Sequence, residues 1–116
     1  MSRSRPDTDD HLERFLDATE WATHASLIGE GGEILAEAHR KGEEPDQYEA
    51  LRNCMLGLLL SYPPRGFHRL FVEDDAGTIV LSRIGENLHL IVIATPEAPM
   101  GAVSVGVGKF ASRMTR

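Results

Sequence analysis

Apolar positions along the chain alternate between helical and extended spacing. Leu12, Phe15, Leu16 and Thr19 recur at i, i+3, i+4 and i+7, the spacing of one helix face. Asp10 and Glu13 have the form of a capping pair that ties down a first turn. Together they predict a helix over 9–21, after a polar, flexible leader over 1–8. Two short extended runs, 24–29 and 33–39, flank Glu30-Gly31-Gly32, where glycine tolerates the positive φ of a hairpin turn. They are the first and second predicted strands. Pro45 suits the first turn of a helix, and Glu43, Glu44 and Asp46 sit where a helix dipole favours negative charge. A second helix is expected over 45–61, stopped by Pro63-Pro64.

Three further extended runs, 67–73, 78–84 and 88–95, are separated by Asp74-Asp75-Ala76-Gly77 and Gly85-Glu86-Asn87, which carry turn chemistry. They read as an antiparallel meander. Leu90 to Ala94 is almost continuously apolar, so the fifth strand is expected to be covered on both faces and central. The tail carries two periods at once. Val103, Val105 and Val107 alternate as in a strand, whereas Val103, Val107, Phe110 and Met114 share a helix face. Gly106 and Gly108 each weaken a helix by about 1 kcal/mol relative to alanine. The balance favours a helix at least from Gly108 onward and leaves 101–108 open between helix and strand. The resulting expectation is an α+β sandwich over 9–116 with topology α-β-β-α-β-β-β-α. Its five-stranded antiparallel sheet has the order 2-1-5-4-3, with the second helix on one face and the first and third on the other.

The second helix has more apolar surface than one sheet face needs. Tyr48, Leu51, Met55, Leu58, Leu59 and Tyr62 form one stripe about 100° wide. Ala50, Cys54, Gly57 and Ser61 form a second row of small side chains, and Leu56 and Leu60 a third strip. So small a domain has few elements to cover all three, which leaves a wholly buried helix or, favoured here, a second subunit on one face. Glu49, Arg52 and Asn53 are the expected polar rim of that contact.

Composition narrows the function classes. In 116 residues, 12 Lys and Arg against 18 Asp and Glu give a net charge of −6, which argues against binding the phosphate backbone of nucleic acid. One cysteine forms no internal disulfide, no apolar run approaches a membrane span, and MSRSRPDTDD lacks the apolar core of a secretory signal. A cytoplasmic chain is the expectation.

Candidate chemistry is sparse. His11, His24, His39, His68 and His89 are scattered without tight metal-ligand spacing, although a meander can approximate His68 and His89. Gly106-Val107-Gly108-Lys109 resembles the end of a phosphate loop, but Val103 stands at the first glycine position and Phe110 at the hydroxyl position. Gly29-Glu30-Gly31-Gly32 joins two strands rather than a strand and a helix, which excludes a dinucleotide turn. There is no serine elbow, Asp74 and Asp75 belong to a turn, and Cys54 reads as a packing residue. Glu37, Glu43, Glu44, Asp46 and Glu49 read as a solvated acidic surface. No catalytic residue, cofactor or metal site is expected.

These patterns resemble the roadblock/dynein-light-chain domain family from about residue 10 to 114. The resemblance rests on DDHLERFLDAT, ASLIGEGGEILAEA, YEALRNCMLGLLLSY, RLFVEDDAGTIVLSRI and LHLIVIAT. The close, PEAPMGAVSVGVGKFASRM, resembles the bacterial branch, which adds a C-terminal helix and includes the mutual gliding-motility protein B type of regulator. The resemblance implies a homodimer joined through the second helix and third strand. On this chain, that interface would include Ala50, Cys54, Leu56, Gly57, Leu60, Ser61 and Phe71. It also implies regulation of a small Ras-like GTPase without an arginine finger from this chain. Two alternatives are a small-molecule sensing domain, whose apolar helix would line a cavity within one chain, and an assembly scaffold with no effect on nucleotide turnover.

Overall fold

Helix α1 (Ser4–Ala18) leads into strands β1 (Ala22–Ile28) and β2 (Ile34–His39). After a second helical stretch, α2 (49, 50 and 52–57), come β3 (Arg69–Asp74), β4 (Gly77–Arg83), β5 (His89–Ala94) and α3 (Met100–Met114). The computed structural model describes residues 4–40, 49, 50, 52–57, 68–74, 77–84 and 88–114. The strands form one antiparallel sheet in the order β2-β1-β5-β4-β3, the expected topology.

Alternation along each strand divides the apolar residues between two faces. Ala25, Leu27, Ala36, Ala38, Val80, Leu90 and Val92 face α1 and α3, which bury Leu12, Phe15, Leu16, Val103, Val107 and Phe110 against them. Ile28, Ile79, Leu81, Ile91 and Ile93 face the other way and enclose Met55 of α2. Leu90 to Ala94 of β5 are all buried, as expected for a strand covered on both sides. Phe15 meets the edges of Trp21 and Phe110, with centroids 6.0 and 5.4 Å away, which fastens α1 to α3. Among the described residues no helix is long and apolar enough to cross a membrane.

Boundaries differ where distant groups decide them. Helix α1 begins at Ser4, within the segment expected as leader. Pro6 lies in its first turn, where a missing N–H costs nothing. The helix ends at Ala18 rather than near residue 21. The Arg40 guanidinium from beyond β2 donates to the carbonyls of Leu16, Thr19 and Ala22 at 2.8, 2.7 and 2.6 Å, taking up the acceptors of the terminal turn. In the tail, helix replaces the strand alternative throughout 101–108. Val103 and Val107 are buried while Val105 is 59% exposed, the helical rather than the alternating outcome. Burying Val103, Val107 and Phe110 contributes about 1.5–3 kcal/mol each, which outweighs the glycine penalty. Gly106 has a packing reason: a Cβ there would lie 2.8 Å from the Trp21 ring. At the β1–β2 hairpin, Gly32 adopts φ 90°, as its place in the turn required.

His89 begins β5 opposite Arg83 of β4. Burial, and then the Arg83 charge, lower its pKa below the ordinary 6.5. The unfolded chain therefore takes up the proton first as pH falls. Stability associated with neutral His89 is complete above about pH 6.5 and is lost as pH drops toward the folded value. In urea titrations at successive pH values, His89→Gln is expected to flatten this acid limb. A limb of unchanged slope would assign the acid sensitivity to other groups.

Candidate interaction face

Helix α2 is held on the sheet by an apolar plug and an ion pair. Met55 is 2% exposed and sits among the isoleucines and leucines of β1, β4 and β5. Leu56 is half-buried at the edge of the same cluster. One turn before Met55, the Arg52 guanidinium donates from Nη1 to Glu37 Oε2 on β2. Ser26 Oγ of β1 donates to that same oxygen at 3.0 Å, and Arg52 Nη2 donates to Asn53 Oδ1 at 3.3 Å. The Glu37 carboxylate thereby ties one helix to two strands.

The opposite side of α2 is open. Ala50, Cys54 and Gly57, at i, i+4 and i+7, are all exposed. No described atom outside the helix backbone lies within 4 Å of where a Gly57 Cβ would stand. Glu49 and Asn53 are exposed beside this row. Val72 of β3, on the same sheet face as α2, is 39% exposed, and among the described residues β3 is an edge strand paired to β4 alone.

Two expected positions require correction. Arg52 does not stand at an exposed polar rim: it is buried and engaged with Glu37. Phe71, expected in the contact through the third strand, faces away from α2. Strand alternation places it opposite Val80, half-buried against the α1–α3 core, while neighbouring Leu70 packs on the α2 side. Glu37 is correspondingly more than a member of a solvated acidic run. Leu60 and Ser61 lie outside the described residues, as do Tyr48, Leu51, Leu58, Leu59 and Tyr62.

The histidines also pair differently from expectation. His24 and His39 stack across β1 and β2 with centroids 6.1 Å apart. His68 precedes β3 and accepts at its carbonyl from the Arg83 N–H, so one strand separates it from His89. Among the described residues no three His, Cys, Asp or Glu side chains gather as a metal site.

No protein-family model and no curated protein matches the sequence. Solved structures do match the fold over nearly the whole chain. A Roadblock/LC7 domain from Streptomyces avermitilis has a TM-score of 0.75 and 22% identity, covering 97% of this chain and 99% of its own. MglB from Myxococcus xanthus has a TM-score of 0.80 and 15% identity, with 99% and 90% covered. The gliding protein MglB of Thermus thermophilus has a TM-score of 0.76 and 20% identity, with 96% and 87% covered. The match over 97% of this chain gives its five-stranded sheet, with one helix on one face and two on the other, the Roadblock/LC7 fold.

Proposed function

We propose that this chain is a non-enzymatic interaction module that forms a homodimer and regulates a small Ras-like GTPase. The carrying observation is the exposed Ala50-Cys54-Gly57 row on α2. Small side chains let a second helix approach closely, and the edge of β3 on the same face offers unpaired backbone groups for joining two sheets. The likeness to MglB structures, one described with a tetrameric arrangement, supports self-association, and the sequence resemblance supports a GTPase partner. Leu56 belongs to the contact, with Leu60 and Ser61 continuing it. Glu49 and Asn53 supply its polar edge.

Regulation then proceeds through the partner's own groups. Bound to the dimer, the switch loops of the GTPase are held in their hydrolytic arrangement, which shifts a population without adding a catalytic side chain. Arg52 is occupied by Glu37, which argues against its use as an arginine finger. The test is single-turnover GTP hydrolysis by the Ras-like GTPase encoded nearest to this chain's gene, with and without the protein. Stimulation is expected to persist in Arg52→Ala, reduced only as far as the loosened helix weakens binding. Loss of about 10³–10⁵ in rate with binding intact would identify an arginine finger and overturn the loop-ordering mechanism. A rate indifferent to the protein would leave it no regulatory role toward that GTPase.

A further inference from the structure

On the sheet face opposite α2, a groove of about 300 Å³ runs between α1 and α3. Phe15, Trp21 and Phe110 line its apolar part, and Val105 stands 59% exposed along it. The absence of a side chain at Gly106 lets the Trp21 ring come in close. Lys109 and Arg113, one helical turn apart, complete the lining. Among the described residues no Asp or Glu lines the groove, although the chain has 18 acidic residues against 12 basic ones. Among the described residues neither cation has an ion-pair partner.

We propose that this groove docks an acidic segment of a partner protein. One large apolar side chain of that segment seats against Trp21 and Val105, and its carboxylates meet Lys109 and Arg113. Arg113 alone has a simpler use, since a cation in the last turn complements the helix dipole. Lys109 beside an exposed valine and an aromatic floor is not explained that way. Charge complementarity selects the occupant. Lys109 and Arg113, with no described carboxylate in the lining, favour an anionic occupant, and a concave groove suits a peptide better than a flat lipid surface. The site lies on the far side of the sheet from α2, so its occupant does not compete with the contact proposed there.

Trp21 is the chain's one tryptophan, so its fluorescence reports the groove directly. The probe is a short amphipathic peptide of Glu, Ala and Leu with one Phe and no Trp. Its partner is the same peptide with Lys in place of every Glu. The acidic peptide is expected to shift Trp21 emission saturably, with affinity falling as salt rises. Lys109→Glu with Arg113→Glu should weaken it about tenfold or more and confer binding of the Lys peptide. Val105→Glu should weaken the acidic peptide in the otherwise unchanged chain. The gain of Lys-peptide binding separates a reversed site from a damaged one. The proposal fails if wild type binds both peptides alike or neither, or if the charge reversal changes nothing. It also fails if Trp21 responds to phosphatidylserine vesicles instead of peptide. A drop in sedimenting mass on Val105→Glu would assign the groove to a second copy and likewise overturn it.

Discussion

Gly77→Ala is expected to destabilise the protein by about 3–5 kcal/mol, a large share of the roughly 5–15 kcal/mol that holds a domain of this size together. Gly77 opens β4 with φ +147°, a backbone conformation that a side chain makes costly. A Cβ there would lie 2.2 Å from the carbonyl oxygen of Ala94. That oxygen belongs to the last residue of β5, which pairs with β1 on one side and β4 on the other, so moving it disturbs two ladders. The contrast with other glycines makes the expectation specific. At Gly29 the obstacle is the Glu33 carboxylate at 2.7 Å, the end of a side chain that can swing into solvent. At Gly106 it is the rim of Trp21 at 2.8 Å, a half-buried ring that yields only by disturbing Phe15. Denaturant midpoints should therefore fall in the order Gly29→Ala, Gly106→Ala, Gly77→Ala, the last far below the others. A Gly77→Ala midpoint close to wild type would mean that β4 can slide away from Ala94 at little cost.

The parts of the fold that were legible in the chain are those set by local periodicity and burial. Leu90 to Ala94 lacks a polar face, and only a strand with both sides covered tolerates that. The two turn sequences after β3 and β4 leave an antiparallel meander as the simplest connection, and the order 2-1-5-4-3 follows once β5 is central. Where the reading stopped, a contact distant in sequence decided the outcome. The end of α1 depends on Arg40, more than 20 residues later for its bond to Leu16. Residues 101–108 carry two periods, and the choice between them rests on the distant core that buries Val103, Val107 and Phe110 and leaves Val105 exposed. Arg52 looked like a rim residue because its helix neighbours are polar. Whether it faces solvent depends on β2 presenting Glu37 to the same side, and strand register is not visible from the helix. A signal did exist, since Glu37 alternates with Ala36 and Ala38 and so must point away from the α1–α3 core. Phe71 was misplaced for the same reason: a strand's residues divide between faces, and naming the strand does not choose the face.

Gly57→Lys is expected to convert a dimer into a monomer without loss of helix. In the isolated chain the substitution is mild. Position 57 is exposed, its Cβ would meet no described atom beyond its own helix within 4 Å, and lysine has a better helix propensity than glycine by about 0.5–1 kcal/mol. Against a second helix packed on the Ala50-Cys54-Gly57 row, the same lysine is ruinous. It fills the space that close approach requires and buries an ammonium without a partner, at a cost of several kcal/mol or more than about 100-fold in dimer affinity. Gly57→Ala is the companion variant. It supplies the propensity gain with a methyl group small enough to keep the contact, and should remain dimeric. Sedimentation at tens of micromolar should show twice 12.8 kDa for wild type and Gly57→Ala, and 12.8 kDa for Gly57→Lys, with unchanged far-ultraviolet circular dichroism. Cys54, one turn away on the same exposed row, provides an independent reading. If the two helices cross near it, oxidation should link wild-type protomers, because a disulfide forms when Cα atoms come within about 7 Å, and Gly57→Lys should abolish the linked band. A Gly57→Lys protein that stays dimeric would move the second subunit off this row of α2 and onto another surface.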